Sequence, residues 1–407
     1  MVILHTADWH LGQNLGEYDR KEEHQHFLNW LIGFIRERKV DALIHAGDVF
    51  DAYSPPKYAE EMYYTFLKEM IHSDCKTIII TGGNHDSPST LNAPSTLLKF
   101  LNIHVIGGAT GNISDEIIEI NDADGTIIGA VAAVPFLRDR DLLKIGISGE
   151  SFDDRLQRIG EGMHSHYLRA RDEIMPYKAR GLPVMATGHL FAAGAMASDN
   201  ERIIHIGTLG QVGAEIFPIE FDYIALGHLH RPQMVNNQSR IRYSGSPIPL
   251  SFSETLDKKQ ILLVELTSNQ EPQIESIEIP QLRRLLRFQG NFESVKEFIS
   301  NFTVNDGELP ALIEIIIILD RYNPDIDRQV REVATENPHL IIHKVTLHYG
   351  ERSSSYSEFI ESGEDLDDLN PIDVFQKKME SVGTDNPELL ETFRILLDRL
   401  NNQQEIN

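Results

Sequence analysis

Val2-Ile3-Leu4-His5-Thr6-Ala7-Asp8-Trp9-His10 opens the chain as a short apolar run that ends on a carboxylate and an imidazole two residues apart. Side chains alternate along extended backbone, so Asp8 and His10 point the same way and can face one ion together. The arrangement returns four times. Ala42–His45 runs into Gly47-Asp48-Val49-Phe50-Asp51, and Thr77–Thr81 into Gly83-Asn84-His85-Asp86. Val184–Thr187 leads to Gly188-His189, and Tyr223–Leu226 to Gly227-His228-Leu229-His230. Val131–Val134 reads as a further strand, and His24–Arg38 and Tyr58–Ile71 carry apolar residues at helical spacing. Strand–helix–strand order with largely buried strands predicts an α/β fold. Open α/β sheets gather their sites just beyond strand ends, which is where each polar cluster falls.

Carboxylate, imidazole and amide oxygen are the donors a pair of divalent ions requires, and one carboxylate can bridge both. With no cysteine in it, the set suits manganese, iron or magnesium more than structural zinc, although zinc is compatible. Any one of these histidines reads as structural; five clusters that each follow a strand, four of them opened by glycine, do not. His24, His104, His166 and His343 lie outside that context and receive no role.

Asp8-x-His10, Gly47-Asp48-x-x-Asp51, Gly83-Asn84-His85-Asp86, Gly188-His189 and Gly227-His228-x-His230 together resemble the calcineurin-like metallophosphoesterase superfamily. The run from His5 to Gly12, HTADWHLG, and Tyr243-Ser244-Gly245-Ser246-Pro247 resemble more closely the SbcD family of bacterial nuclease subunits, relatives of archaeal and eukaryotic double-strand-break repair nucleases. The motif resemblance covers about residues 1–255. It implies a β-sandwich flanked by helices, with one metal held by Asp8, His10, Asp48 and His230 and a second by Asp48, Asn84, His189 and His228. Asp48 would be shared, and manganese is the first expectation for both ions. His85 would protonate the leaving oxygen, with Asp86 orienting it through a hydrogen bond. Asp51, where archaeal members carry histidine, would support a ligand from behind. The implied activity is 3′–5′ exonuclease on duplex ends and endonuclease on single strands and hairpins, in DNA repair, recombination and replication. The implied partners are DNA, a second copy of the chain through the nuclease domain, and two SbcC-type ATPase subunits, in the cytoplasm.

After Gly245-Ser246-Pro247 the pattern changes. Ile261–Leu266 and Gln273–Ile279 read as strands completing a nuclease domain over 1–280. Residues 281–350 read as a small α/β cap: strand, helix (Phe292–Asn301), strand (Ala311–Leu319), helix (Asp325–Glu336), strand (Leu340–Leu347). Residues 351–370, with the acidic stretch Glu361–Asp368, read as a solvated linker. In 371–407, Ile372, Val374, Phe375 and Met379, then Leu389, Phe393 and Leu397, are spaced as two amphipathic helices. Their apolar stripes need cover, either from the same chain or, as the resemblance implies, from the ATPase's coiled coil.

Composition bounds the reading. A chain of 407 residues supplies two or three domains, its 41% hydrophobic content is ordinary for a globular protein, and no run approaches the ~18 apolar residues of a membrane span. The opening strand lacks the features of an export signal, so an intracellular protein is expected. Cys75, the one cysteine, reads as a buried thiol. The net charge of −25 opposes unaided grip on DNA, because such affinity comes largely from Lys and Arg neutralising phosphates. Bound cations or a partner subunit would have to supply positive charge. A cyclic-nucleotide or other small-molecule phosphodiesterase suits the charge better and is the alternative, but it needs neither cap nor terminal helices. A scaffold with an incidental metal site is a third reading, opposed by the complete ligand set. Gln13, Asn14, Tyr18, Arg138, Asp139 and Arg140 lie in loops near the clusters and read as solvated residues or DNA contacts.

Overall fold

The computed structural model describes residues 1–143, 151–192, 195, 212–319, 323 and 325–349 and, beyond these, Phe375, Met379, Leu389, Leu390, Thr392 and Phe393. In the first of two six-stranded sheets, Val2–Thr6, Ala42–Ala46, Thr77–Thr81 and Ile103–Ile106 run parallel, and Gln260–Glu265 and Gln273–Glu278 continue it antiparallel beyond Val2–Thr6. In the second, Ile127–Ala132, Val184–His189, Tyr223–Gly227 and Gln238–Tyr243 are parallel, with Ile117–Asn121 and Gln233–Val235 as antiparallel edges.

The period-two alternation of the strands sorts side chains into layers. Ile3, Ala42, Ile44 and Ile79 from one sheet and Val131, Met185, Tyr223 and Ala225 from the other fill the space between the sheets. Leu4, Leu43, Ile78 and Ile80 face outward onto helices Lys21–Glu37 and Lys57–Met70. Helix Phe152–Ala179 covers the outer face of the second sheet with Ile159, Met163, Tyr167, Ala170 and Ile174, spaced three or four apart. Burying each large apolar side chain contributes about 1.5–3 kcal/mol, so both faces of each sheet must be covered. This is the expected β-sandwich flanked by helices.

Two sequence readings need correction. The strand placed at Val131–Val134 is Ile127–Ala132; Val134 N bonds back to Ala132 O at 3.0 Å and turns the apolar run out of the sheet ahead of Pro135. Helix Phe152–Ala179 and strands Ile103–Ile106 and Ile117–Asn121 were not foreseen.

The chain divides into two compact units, one of Met1–Arg287, Phe302–Glu314 and Asn337–His343, the other of Phe288–Asn301, Ile315–Glu336 and the described residues from Lys344 on. Leu285–Gly290, Phe292–Asn301, Ala311–Leu319, Ile326–Thr335 and Leu340–Tyr349 follow the β-α-β-α-β order read for the cap. The acidic linker lies outside the described residues, as does most of 371–407. In 371–407 the described residues Phe375, Met379, Leu389, Leu390, Thr392 and Phe393 are helical, and the Phe375 and Phe393 rings stack with centroids 4.0 Å apart. Among the described residues no helix is long and apolar enough to cross a membrane.

Candidate metal centre

Asp8, His10, Asp48 and His228 all hold left-handed backbone, with φ of 53°, 47°, 56° and 96°. The other described non-glycine residues with positive φ are Asn102, Asn236, Asn237 and Asn269, a residue type that tolerates this conformation. Elsewhere it costs about 1–3 kcal/mol and persists only where the surroundings fix it. Here the loops beyond the strands are stitched together. Asp8 N donates to Gly47 O at 2.9 Å, His10 N to Asp48 O at 3.1 Å and Leu11 N to Val49 O at 2.9 Å. His228 N donates to Asp8 Oδ1 and His85 N to Asp48 Oδ1, both at 2.8 Å. Two glycines make the stitching possible. A methyl group on Gly47, whose φ is 91°, would enter the His189 ring, and one on Gly83 would strike the Asp48 carboxylate.

The ligating atoms of Asp8, His10 and Asp48 form one cluster and those of Asp48, His189 and His228 another, each with its atoms within 4.8 Å of one another. Asp48 belongs to both. Its Oδ2 is 3.5 Å from His10 Nε2 and 3.1 Å from His189 Nε2. Asn84 Oδ1 is 2.9 Å from both His189 Nε2 and His228 Nδ1. The His230 and His85 rings stand with centroids 5.0 and 4.8 Å from that of His10. All seven ligand candidates and His85 therefore come together. Donors bound about 2.1 Å from one ion lie about 3 Å from each other, the spacing of these atoms.

The electrostatics fit divalent cations. Asp8 Oδ2 and His10 Nε2 are buried without a hydrogen-bond partner, a costly state for polar atoms that a cation relieves. His189 Nδ1 donates to Ala46 O at 2.9 Å, so Nε2 faces the oxygens of Asn84 and Asp48. Burial pulls the His189 pKa down, but the Asp48 and Asp8 carboxylates raise it to about 9. Burial raises Asp8 to about 7 against the pull of His189 and His230. Asp48 is buried as deeply, yet His189 and His10 hold it well below the usual carboxylate range.

Asp51 stands behind His10, its Oδ1 3.0 Å from His10 Nδ1, which leaves Nε2 for the cluster. Asp86 does not orient His85. Its carboxylate accepts the backbone N–H groups of Val49, Phe50 and Gly83 at 3.1, 3.0 and 2.9 Å, tying together the loops that carry Asp48 and Asn84. His85 Nδ1 instead donates to Asp51 O at 2.7 Å, and its half-buried ring is accessible to solvent. The turn beyond Gly83 sends the neighbouring side chains of His85 and Asp86 different ways, so adjacency in sequence misled.

Sequence reading missed the buried pair Glu254 and Lys259 behind His230. Burial would raise Glu254, but Lys259 and His230 keep it well below the usual range. Of the loop residues, Gln13 is buried and donates to Leu250 O at 3.1 Å, Tyr18 lies against His343, and Asp139 pairs with Arg155. Arg138 lies over the half-exposed Phe136 ring, which is edge-on to His189 at 6.1 Å between centroids.

Residues 1–232 match the calcineurin-like phosphoesterase family, and residues 281–382 match a family described as type 5 capsule protein repressor C-terminal domain. The chain is 36% identical over 388 residues to the SbcD subunit of the nuclease SbcCD from Escherichia coli strain K12, an alignment that covers 93% of this chain and 92% of that one. Its identity to the proteins of the same name is 37% in Rhodobacter capsulatus, over 70% of this chain and 71% of the relative, and 34% in Bacillus subtilis, over 71% and 72%.

Proposed function

Because the chain belongs to the SbcD family of nuclease subunits within the calcineurin-like phosphoesterases, we propose that it hydrolyses DNA phosphodiesters at a site holding two divalent ions. Asp8, His10, Asp48 and His230 would hold one ion, and Asp48, Asn84, His189 and His228 the other, with manganese the first candidate. The observation that carries this reading is that Asp48 belongs to two ligand clusters at once, beside buried donor atoms without partners. When bound, the ions supply Lewis acidity and an activated water for in-line attack on phosphorus.

The chain's own groups do the rest. His85 Nδ1 is fixed on Asp51 O, so the proton it gives the departing 3′ oxygen comes from Nε2. Asp51 and Ala46 O fix His10 and His189 with Nε2 directed at the clusters. Asp86 keeps the Asp48 and Asn84 loops in register.

The proposed activities are 3′–5′ exonuclease on duplex ends and endonuclease on single strands and hairpins, in the cytoplasm. The relatives' name, which places them in the SbcCD complex, supports an SbcC-type ATPase as partner, in a complex of two plus two. In this proposal residues 1–280 are the nuclease domain, 281–350 its cap, and the helices of 371–407 dock on the ATPase. Leu97 and Phe100, 68% and 86% exposed on the nuclease domain, support a homodimer through that face. The ions and the partner offset the net charge of −25.

The test incubates the purified chain and Mn2+ with end-labelled duplex and with a small aryl phosphodiester. Cleavage of DNA that is abolished in Asp48→Ala and strongly reduced in His85→Ala supports the proposal. Equal nicking by wild type and His85→Ala removes the acid role, and turnover of the small ester without DNA cleavage transfers the site to small-molecule chemistry.

A further inference from the structure

The imidazoles proposed as ligands are braced in different ways. His10 rests on Asp51, whose side chain is 37% exposed, and His189 on the backbone carbonyl of Ala46. Behind His230 lies a buried ion pair. Glu254 and Lys259 have fully buried side chains, and Glu254 Oε2 is 2.6 Å from Lys259 Nζ. Glu254 Oε1 is 3.4 Å from His230 Nδ1 and accepts a bond from Ser251 Oγ at 3.0 Å. Lys259 Nζ also donates hydrogen bonds to His230 O and Ser246 Oγ, both at 2.9 Å. The pair thus holds His230 by its ring and by its backbone. Gly245 and Ser246 of the Tyr243–Pro247 motif complete the cradle, with Ser246 N donating to His230 O at 3.1 Å.

Lys259 immediately precedes strand Gln260–Glu265, which pairs antiparallel with Val2–Thr6, the strand that leads to Asp8 and His10. Lys259 and two of the proposed ligands therefore flank neighbouring strands of one sheet. A buried ion pair adds little net stability over an apolar pair of the same shape, so stability alone does not account for it. A carboxylate on the far nitrogen of a ligating histidine fixes the tautomer and aims the near one.

We infer that Glu254 and Lys259 are positioning residues for His230: the Glu254 carboxylate accepts the hydrogen bond of the Nδ1–H so that Nε2 faces the Asp8–His10–Asp48 cluster, and Lys259 keeps the carboxylate and the His230 backbone in place. This rests on the metal-dependent reading above and concerns one of its two ion sites.

The test titrates Mn2+ into the full chain by calorimetry, for wild type, Glu254→Gln and the double variant Glu254→Gln/Lys259→Met. The double variant removes both charges and so avoids stranding a buried lysine. Melting curves in EDTA report the fold without metal. The expected result is a double variant that melts like wild type in EDTA but binds one of two ions about 10–100-fold more weakly, the usual effect of losing such a partner. Its DNA cleavage should recover at high Mn2+. A double variant that binds both ions as tightly as wild type, or that loses its fold in EDTA, overturns the positioning role. Wild type that takes up no Mn2+ overturns the metal-dependent reading itself.

Discussion

Replacing Asp86 by asparagine keeps the size and shape of a buried side chain and removes its charge. In the folded protein burial, and then the neighbouring Asp48 carboxylate, raise Asp86 from an ordinary value of 3.8 to about 6, even though three backbone N–H groups donate to it. The rise corresponds to about 3 kcal/mol against the charged form. The sign follows from proton counts. Between pH 4 and 6 the folded protein holds this proton and the unfolded chain does not, so Asp86 lowers stability as pH rises through that window. Asparagine has no such term, and the other titrating groups are common to both proteins. Asp86→Asn should therefore gain about 2 kcal/mol on wild type between pH 4 and pH 7 in EDTA, whatever the offset at pH 4. Urea unfolding at several pH values, with both proteins in parallel, measures this. Asp86→Ala is the control: it leaves the N–H groups of Val49, Phe50 and Gly83 without their acceptor and should cost at least about 3 kcal/mol. A difference between wild type and Asp86→Asn that stays constant with pH would mean that folding does not raise the Asp86 pKa.

Other consequences can be measured on the same protein. Gly83→Ala places a methyl group against the Asp48 carboxylate and should abolish uptake of both ions, as read by calorimetry, while the far-ultraviolet circular dichroism stays that of wild type. In the metal-free protein at pH 6 both Asp8, at about 7, and His189, at about 9, hold protons, whereas at pH 8 only His189 does. Mn2+ binding should accordingly release more protons at pH 6 than at pH 8 and tighten as pH rises, which calorimetry in buffers of different ionisation heat detects. His85→Gln should lower kcat on DNA by about 10²–10⁴ with Mn2+ affinity unchanged. A matching loss of affinity would make His85 a ligand rather than an acid.

Much of this architecture was legible because strands buried on both faces leave continuous apolar runs, and the polar residues after each run stand out. Asp8, Asp48, Asn84, His189 and His228 could be read from that contrast. Helix Phe152–Ala179 was hidden because Gly160, Gly162 and several histidines and arginines dilute its stripe, although Ile159, Met163, Tyr167, Ala170 and Ile174 keep the helical period. The strand end after Ala132 was hidden because Ala133 and Val134 stay buried while the backbone turns. Glu254 and Lys259 were invisible for a different reason. In Ser251-Phe252-Ser253-Glu254 and Asp257-Lys258-Lys259 a charged residue reads as solvated, and only the tertiary structure buries one against the other. Sequence spacing shows which side chains are available to a site and says little about what stands behind them.

Anomalous diffraction from crystals soaked in Mn2+ tests whether Asp48 serves two ions at once. The expected map has two peaks, the Asp48 carboxylate lying between them, with Asp8, His10 and His230 on one and Asn84, His189 and His228 on the other. A single peak, or two peaks that do not share Asp48, would contradict it.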